Sequence, residues 1–481
     1  MNSILDNVHG FIQLTEVEDE IEKLPIFKRL QHIKQLGLAN WIFPGAEHTR
    51  YIHSLGVMHI IDQMALKLKF SDEDRQLVRL AGMLHDIGHY PLSHIGEYAY
   101  QSNTLELDDV LLTSKQNVLD QVDKFKSKDI LKSITMEGPS NPYHHENMGV
   151  RVIRNSIEIQ QLISKHCPFI NVEDICDIIT GNTARLQDNP NLASRIQLLH
   201  SELDADRMDY LLRDATFSGA SYGTFELGNL IKNLKNKSHS KLGIDIVGVS
   251  PKGIGAADQF LVNRYLAYSQ VIFHKHVAIL GYMAQTVMMW MIQEKAVQFP
   301  DHDTLISYVE NHEKNTQFQK FTDLYFIKML YEISPGDTGC PNHIMTMIET
   351  LKKLKALDMN EQVAFSGSSY SSIQEGFKET GVYRRISSGN YQEQRKIPLF
   401  SSISVTNNVP TEEFIEEYKE HIPPNGDDMP EIEYYLIGRL LNGLAIIEDD
   451  KEPYLLVDAP CSLVKDLYKN VQVFLREYNL E

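Results

Sequence analysis

Apolar positions between residues 50 and 90 recur every three or four residues, the spacing of a helix that buries one stripe. Leu77, Leu80, Ala81, Leu84 and Ile87 form one such stripe. At about 100° per residue, His85, Asp86 and His89 fall together on the opposite side of that helix. Gly88 and Pro91 predict where it stops. Upstream, the stretch from His48 to Gly56 opens a second apolar-periodic segment running through Met58 and Ile60 to Ala65. Arg50 and His53 lie three apart in it, so a helix points both the same way. A third segment, His200 to Asp214, sets Met208, Leu211, Leu212 and Ala215 on one arc. Asp206, Arg207, Tyr210 and Asp214 fall within roughly 100° on the other. Asp209 and Arg213 fit a salt-bridged, solvated face.

Helical patterning continues to about residue 360, interrupted by polar stretches such as Ser102 to Tyr143 and Asn182 to Asn191. The first of these has the character of an insertion that could cover a site. Around Ser366 to Ser372 the composition becomes that of a flexible loop. Strand-like runs follow at 396–405, 434–448 and 454–457, and then a terminal helix is expected from Ser462 to Tyr478. The expected architecture is therefore mostly α, a helical core over 1–365 followed by a small α+β C-terminal lobe over 366–481 that serves assembly or regulation. No internal repeat is evident.

Charge and composition narrow the function. The 481 residues carry 46 Lys and Arg against 65 Asp and Glu, a net charge of −19. So acidic a chain is a poor general nucleic-acid binder, because that affinity rests on basic surface. A triphosphate ligand needs only a local cationic cluster and remains compatible. Cys167, Cys176, Cys340 and Cys461 are scattered without CxxC spacing, which points to reduced thiols in a cytoplasmic setting. The N-terminal residues lack a basic-then-apolar signal. The longest apolar stretch, Val271 to Ile292, is interrupted by His274, Lys275 and His276, so no membrane span is expected.

Candidate chemistry centres on His85-Asp86. An adjacent imidazole and carboxylate can both ligate one divalent ion of the manganese, iron or zinc kind. The dipeptide alone is weak, since His302-Asp303 repeats it in a polar stretch without supporting residues. The first copy has company: His53 upstream and Asp206 downstream.

The order His53, His85-Asp86, Asp206 resembles the H…HD…D signature of HD-domain metal phosphohydrolases. The blocks Phe27 to Gly37, Phe43 to Arg50, His53 to Gly56, His85 to His94, His145-Glu146 and Asp204 to Asp214 are similar to the deoxynucleoside triphosphate triphosphohydrolase branch, the SAMHD1-like and bacterial dGTPase-like enzymes. The resemblance covers about the first 280 residues in scattered blocks, and the conjunction is more specific than any one motif. It implies an HD-domain helical core and a single divalent ion (Mn, Fe, Zn or Mg) held by His53, His85, Asp86 and Asp206. It also implies cleavage of a dNTP, dGTP among the expected substrates, between the α-phosphate and the sugar 5′ oxygen.

By the same similarity, His89, His94 and His145 are candidates for proton transfer and phosphate binding, with His94 the expected general acid. Glu97 and Glu146 are the expected orienting carboxylates, Glu97 for His94 and Glu146 for His145. Arg50 and Arg207 would neutralise phosphates. Tyr210 would cover the sugar, Gln35 and Asp214 would bind its 3′ hydroxyl, and Leu36 would pack beneath the ring. Phe273 and His274 fall where base contacts are expected. The family implies a homo-tetramer or homo-hexamer with a dNTP activator at an interface. Several positions in Lys23 to Gln31 do not match the guanine-specific activator pocket, and Arg384, Arg385, Arg395 and Lys396 are candidate interface phosphate contacts. Two other functions compete: an HD-type nucleotidase or phosphodiesterase on another nucleotide, and a non-catalytic nucleotide sensor or single-stranded nucleic-acid binder.

Overall fold

Each motif helix starts and stops for local reasons. Ser71 caps the helix Asp72–Leu84 by accepting a hydrogen bond from the Asp74 amide (3.1 Å), and Asp72, Glu73 and Asp74 set negative charge at its positive end. Asp204 caps Ala205–Ser218 in the same way through the Arg207 amide (2.8 Å), and Gly219, at φ 73°, ends it in the left-handed conformation that glycine adopts without strain. The helix Arg50–Lys67 is buried on almost every side because it runs between these two, packing against both. A computed structural model describes residues 2–102 and 141–354 (save 187, 241–242, 295–296, 312–313 and 335–338), the strands 364–372, 383–387, 390–397 and 472–479, and residues 443–464.

The fold is mostly α, as the periodicity predicts. Among the described residues one apolar core runs through the helices, with Met58, Ile61, Leu80, Leu84, Met208 and Leu211 among its fully buried members. Among the described residues, two hairpins interrupt the helical reading of the first 360 positions. Asn2–Asp6 pairs antiparallel with Gly10–Leu14, and Leu234–Ser238 with Asp245–Val249. The second hairpin extends into a four-stranded sheet: Ala445–Ile446 joins Asp245–Val249 in parallel and pairs in turn with Tyr454–Leu455. A Cβ at Gly248 would lie 2.2 Å from the Ala445 carbonyl oxygen, so only glycine allows this approach. The stretch 443–464 is thereby anchored to the core, and Ser462 Oγ adds a 2.7 Å bond to the buried Asp258.

Two expectations for the C-terminal part are corrected. Ala364–Ser372 is a strand, not a flexible loop, and Gln472–Asn479 is a strand, not the end of a helix. Both belong to one sheet of order 364–372, 472–479, 390–397, 383–387. The strand Gln472–Asn479 pairs antiparallel along both edges, with 364–372 on one side and 390–397 on the other. Arg384, Arg385, Arg395 and Lys396 lie on the strands Tyr383–Ser387 and Asn390–Ile397. The stretches 103–140 and 401–442, which hold most of the polar insertion and part of the strand-like runs, lie outside the described residues.

Candidate metal and phosphate site

The HD dipeptide sits just past a helix end. Asp72–Leu84 stops one residue before His85, and residues 85–88 form a turn. His85 (6 % exposed), Asp86 (1 %) and His89 (0 %) are all buried, which rules out a solvated polar face. The turn is held from behind by Arg29. Its guanidinium donates to the carbonyls of His89 (2.8 and 2.5 Å) and Ile87 (3.3 Å) and lies 4.1 Å from the Phe318 ring. Burial lowers the Arg29 pKa to about 9, so it still carries its charge at neutral pH.

Four side chains converge on one point in front of the turn. His53 Nε2 lies 2.9 Å from Asp206 Oδ1 and 3.7 Å from Asp86 Oδ2. His85 Nε2 lies 3.4 Å from Asp86 Oδ1 and 3.7 Å from Asp206 Oδ1. Ligand atoms of His53, His85 and Asp86 fall within 4.8 Å of one another. The opposite ring nitrogens fix both tautomers: His85 Nδ1 donates to the Gly82 carbonyl (2.8 Å) and His53 Nδ1 to the Asp209 carboxylate (2.7 Å). Both Nε2 atoms, buried and turned to the same space as the two carboxylates, offer lone pairs there once a cation displaces the proton. Burial opposes the charge on His53, but Asp206 and Asp209 overcome it and raise its pKa to about 10. Carboxylates that hold a proton there so strongly suit a divalent cation, and this donor set fits one.

A second group adjoins it. His89, His94 and His145 offer ring nitrogens within 4.8 Å of one another. The His89 and His145 rings stack at 4.1 Å, and His89 Nε2 is 3.3 Å from Asp86 Oδ1. Glu97 orients two of these rings at once: its Oε2 accepts from His94 Nδ1 (2.7 Å) and His145 Nδ1 (3.2 Å). Glu146 sits elsewhere, 3.5 Å from His144 and 3.7 Å from His200. Burial works against charge on His145, yet Glu97 raises its pKa to about 9, while burial, Arg50 and His145 hold His89 well below the usual histidine value. At neutral pH, His145 is an imidazolium stacked on a neutral His89, with half-exposed His94 at the rim.

Tight backbone packing sets this group. The helix His145–Asn155 crosses the turn where a Cβ at Gly88 would lie 2.2 Å from the Gly149 amide nitrogen. Leu92 and Ser93 follow in the left-handed region (φ 58° each), a conformation that side chains rarely adopt. Tertiary bonds hold them: the Leu92 amide donates to buried Asp323 (2.6 Å), and Ser93 Oγ donates to the Lys34 carbonyl and accepts from Arg50 Nε (2.9 Å).

The remaining candidates divide by location. Arg50 donates to Asp86 Oδ2 (2.8 Å), which aims it at the metal point. Gln35 is brought beside it because residues 33–35 pair with 48–50, and its buried Oε1 has no partner. Leu36 is half-buried next to it. Asp214 accepts a 2.7 Å bond from His48 Nε2. Arg207 folds back onto Asp204 and the Ser201 carbonyl. Tyr210 meets Tyr268 (3.4 Å between hydroxyls), and Phe273 packs edge-on against Tyr268, which places Phe273 on the Tyr210 side; His274 packs edge-on against Phe43. The second HD pair has a structural role: His302 Nε2 bonds the Tyr100 carbonyl (2.8 Å).

Sequence reasoning missed several residues here. Asp209 and Arg213, expected on a solvated face, are fully buried and joined by bonds of 2.8 and 2.9 Å. His9, His48 and Arg264 were not singled out either. Arg264 is buried, bonded to Glu202 (2.6 Å), and lies 5.8 Å from the Tyr268 ring centre. Only the helical phase of Asp209, four before Arg213 and three after Asp206, hinted at any of them.

Comparison with known proteins finds an HD domain in this chain. Residues 50–214 match the HD domain model, the span that carries all four convergent side chains. The chain carries an HD domain over this span. It is 31 % identical over 301 residues to an uncharacterized protein of Methanocaldococcus jannaschii, covering 63 % of this chain and 52 % of that one. It is 39 % identical over 373 residues to the deoxynucleoside triphosphate triphosphohydrolase SAMHD1 of Bos taurus, covering 70 % of this chain and 55 % of that protein. The HD-domain chain thus spans about half the length of these relatives. A crystal structure of a hypothetical protein from Aquifex aeolicus shares the fold, with a TM-score of 0.59 at 22 % identity over 100 % of this chain and 96 % of the other.

Proposed function

We propose that this HD-domain protein hydrolyses deoxynucleoside triphosphates, dGTP among them, to deoxynucleoside and tripolyphosphate. The observation that carries the reading is the pairing of two buried His Nε2 atoms and two carboxylates with an adjoining charged imidazole group. The likeness to SAMHD1 supports it. A divalent ion held by His53, His85, Asp86 and Asp206 would supply Lewis-acid polarisation of the α-phosphate. Arg50, already aimed by Asp86 and Ser93, neutralises phosphate charge, and Arg207 joins it by releasing Asp204. Imidazolium His145 binds a phosphate oxygen, and neutral His89 bridges the two groups. His94, bonded to Glu97 and open to solvent, delivers the proton to the departing 5′ oxygen. Glu146 tunes the group through His144. Gln35, Leu36, Tyr210 and Asp214 hold the sugar, and Phe273 and His274 face the base.

In this reading, residues 1–365 are the catalytic core and 366–481 the part used for assembly, with 443–464 anchored on the core. The protein works in the cytoplasm as a homo-tetramer or homo-hexamer activated by a dNTP other than its substrate. No helix among the described residues is long and apolar enough to cross a membrane. Phosphorus NMR of the protein with Mn²⁺ or Mg²⁺, given each dNTP singly and then all four, tests the proposal. Tripolyphosphate is expected, faster from the mixture. Pyrophosphate or orthophosphate alone would make it a nucleotidase, and no turnover with metal bound would make it a sensor.

A further inference from the structure

The N-terminal hairpin reaches the back of the metal point. Asp6 ends its first strand and turns the chain: Oδ1 accepts from the amides of Val8 and His9 (2.9 Å each), and Gly10 completes the turn at φ 72°. This turn directs the His9 ring inward, where Nε2 donates to Asp209 Oδ1 at 2.6 Å. Asp6 Oδ2 meanwhile accepts from Arg213 Nη1 at 2.7 Å.

Asp209 lies at the centre of this network. Its fully buried carboxylate accepts from His9 Nε2, His53 Nδ1, and Arg213 Nε and Nη2. Only one of those donors, His53, carries a ring nitrogen at the metal point. The carboxylate can therefore hold the His53 ring plane and tautomer only while its own position is fixed, and two of the residues that fix it, His9 directly and Asp6 through Arg213, sit 200 or more residues away on the hairpin. Gly56 permits the approach, since a Cβ there would lie 1.9 Å from Asp209 Oδ1.

We propose that the N-terminal hairpin is a positioning element of the metal centre, acting through His9 and Asp209 on the ligand His53. This rests on the reading that His53 is a metal ligand, but not on the identity of the substrate. Partners of this kind behind a ligating histidine affect metal affinity by about 10- to 100-fold.

The test is titration calorimetry of Mn²⁺ into the full metal-stripped chain, with thermal melts of the metal-free proteins as a fold check. His9→Ala is expected to weaken Mn²⁺ binding about 10- to 100-fold, and His9→Gln, which keeps an N–H donor, to restore most of it. Phe11→Ser, on the exposed outer face of the same hairpin, should leave binding unchanged. If His9→Ala does not fold, Asp6→Asn carries the same expectation, weaker binding in a folded protein. Wild-type affinity in the folded His9→Ala or Asp6→Asn protein overturns the proposal while leaving the metal centre intact. A wild-type protein that binds no divalent ion overturns the metal centre and this proposal with it, whatever its activity.

Discussion

Gly88 and Gly149 meet at the crossing of the HD turn and the helix His145–Asn155, and the structure assigns them opposite tolerances. A Cβ on Gly88 would lie 2.2 Å from the Gly149 amide nitrogen, 2.3 Å from the His145 carbonyl oxygen and 2.7 Å from Gly149 Cα. All three are backbone atoms, so no flexible side chain can yield. Ordinary contact begins near 3.4 Å, so the helix must retreat by about 1.2 Å, taking His145 from Glu97 and His89; a misplacement of about 1 Å costs on the order of 100-fold in rate. A Cβ on Gly149 would meet the Gly88 amide nitrogen at 3.5 Å and the His85 carbonyl oxygen at 3.6 Å, which is ordinary contact. Gly88→Ala should therefore lower kcat about 100-fold and stability by about 1–3 kcal/mol. Gly149→Ala, inside a helix, should leave kcat unchanged and raise stability by roughly 0.5–1 kcal/mol. Denaturant melts read the stability arm, and tripolyphosphate release reads the rate. A Gly88→Ala protein as stable and active as wild type, or the reverse ranking of the two variants, would refute the packing argument.

Two further outcomes are expected. Because Glu97 raises His145 to about 9 from an ordinary 6.5, the stabilisation from that pair is fully present below pH 6.5 and is lost as pH rises through about 9. Activity that needs the imidazolium should fall over the same alkaline range, and Glu97→Gln should move that limb toward neutrality in a pH–rate profile. Asp323→Ala should cost roughly 1–3 kcal/mol by leaving the Leu92 and Lys34 amides without their acceptor. Asp323→Asn, which keeps an acceptor oxygen, should melt closer to wild type.

How much of this was legible beforehand follows from where the constraints lie. The helical phase of residues 48–56, 77–84 and 200–214 is a local property of the chain, so the mostly α core and the faces bearing His53 and Asp206 followed from spacing alone, whereas His85-Asp86, expected on the same helix, sits in the turn after it. The resemblance then grouped these four before any distance was known, because the motif order is itself carried by the sequence. Register between strands is a long-range property, and the terminal segment Gln472–Asn479 had no local signal strong enough to separate strand from helix; pairing with 364–372 and 390–397 decided it. The same holds inside the site. That Asp209 and Arg213 lie in the core was invisible on a helical wheel, because the partners that make burial of their charges tolerable, His9 and Asp6, come from the far end of the chain. The choice of Glu97 rather than Glu146 as the partner of His145 was likewise settled by a crossing of backbones at Gly88. By itself the sequence determined which residue types are present and which helix face carries them, because those follow from composition and a 3.6-residue period. Only the tertiary structure decided which charges are buried together and which nitrogen of each histidine is left free, because each of those depends on a partner distant in sequence.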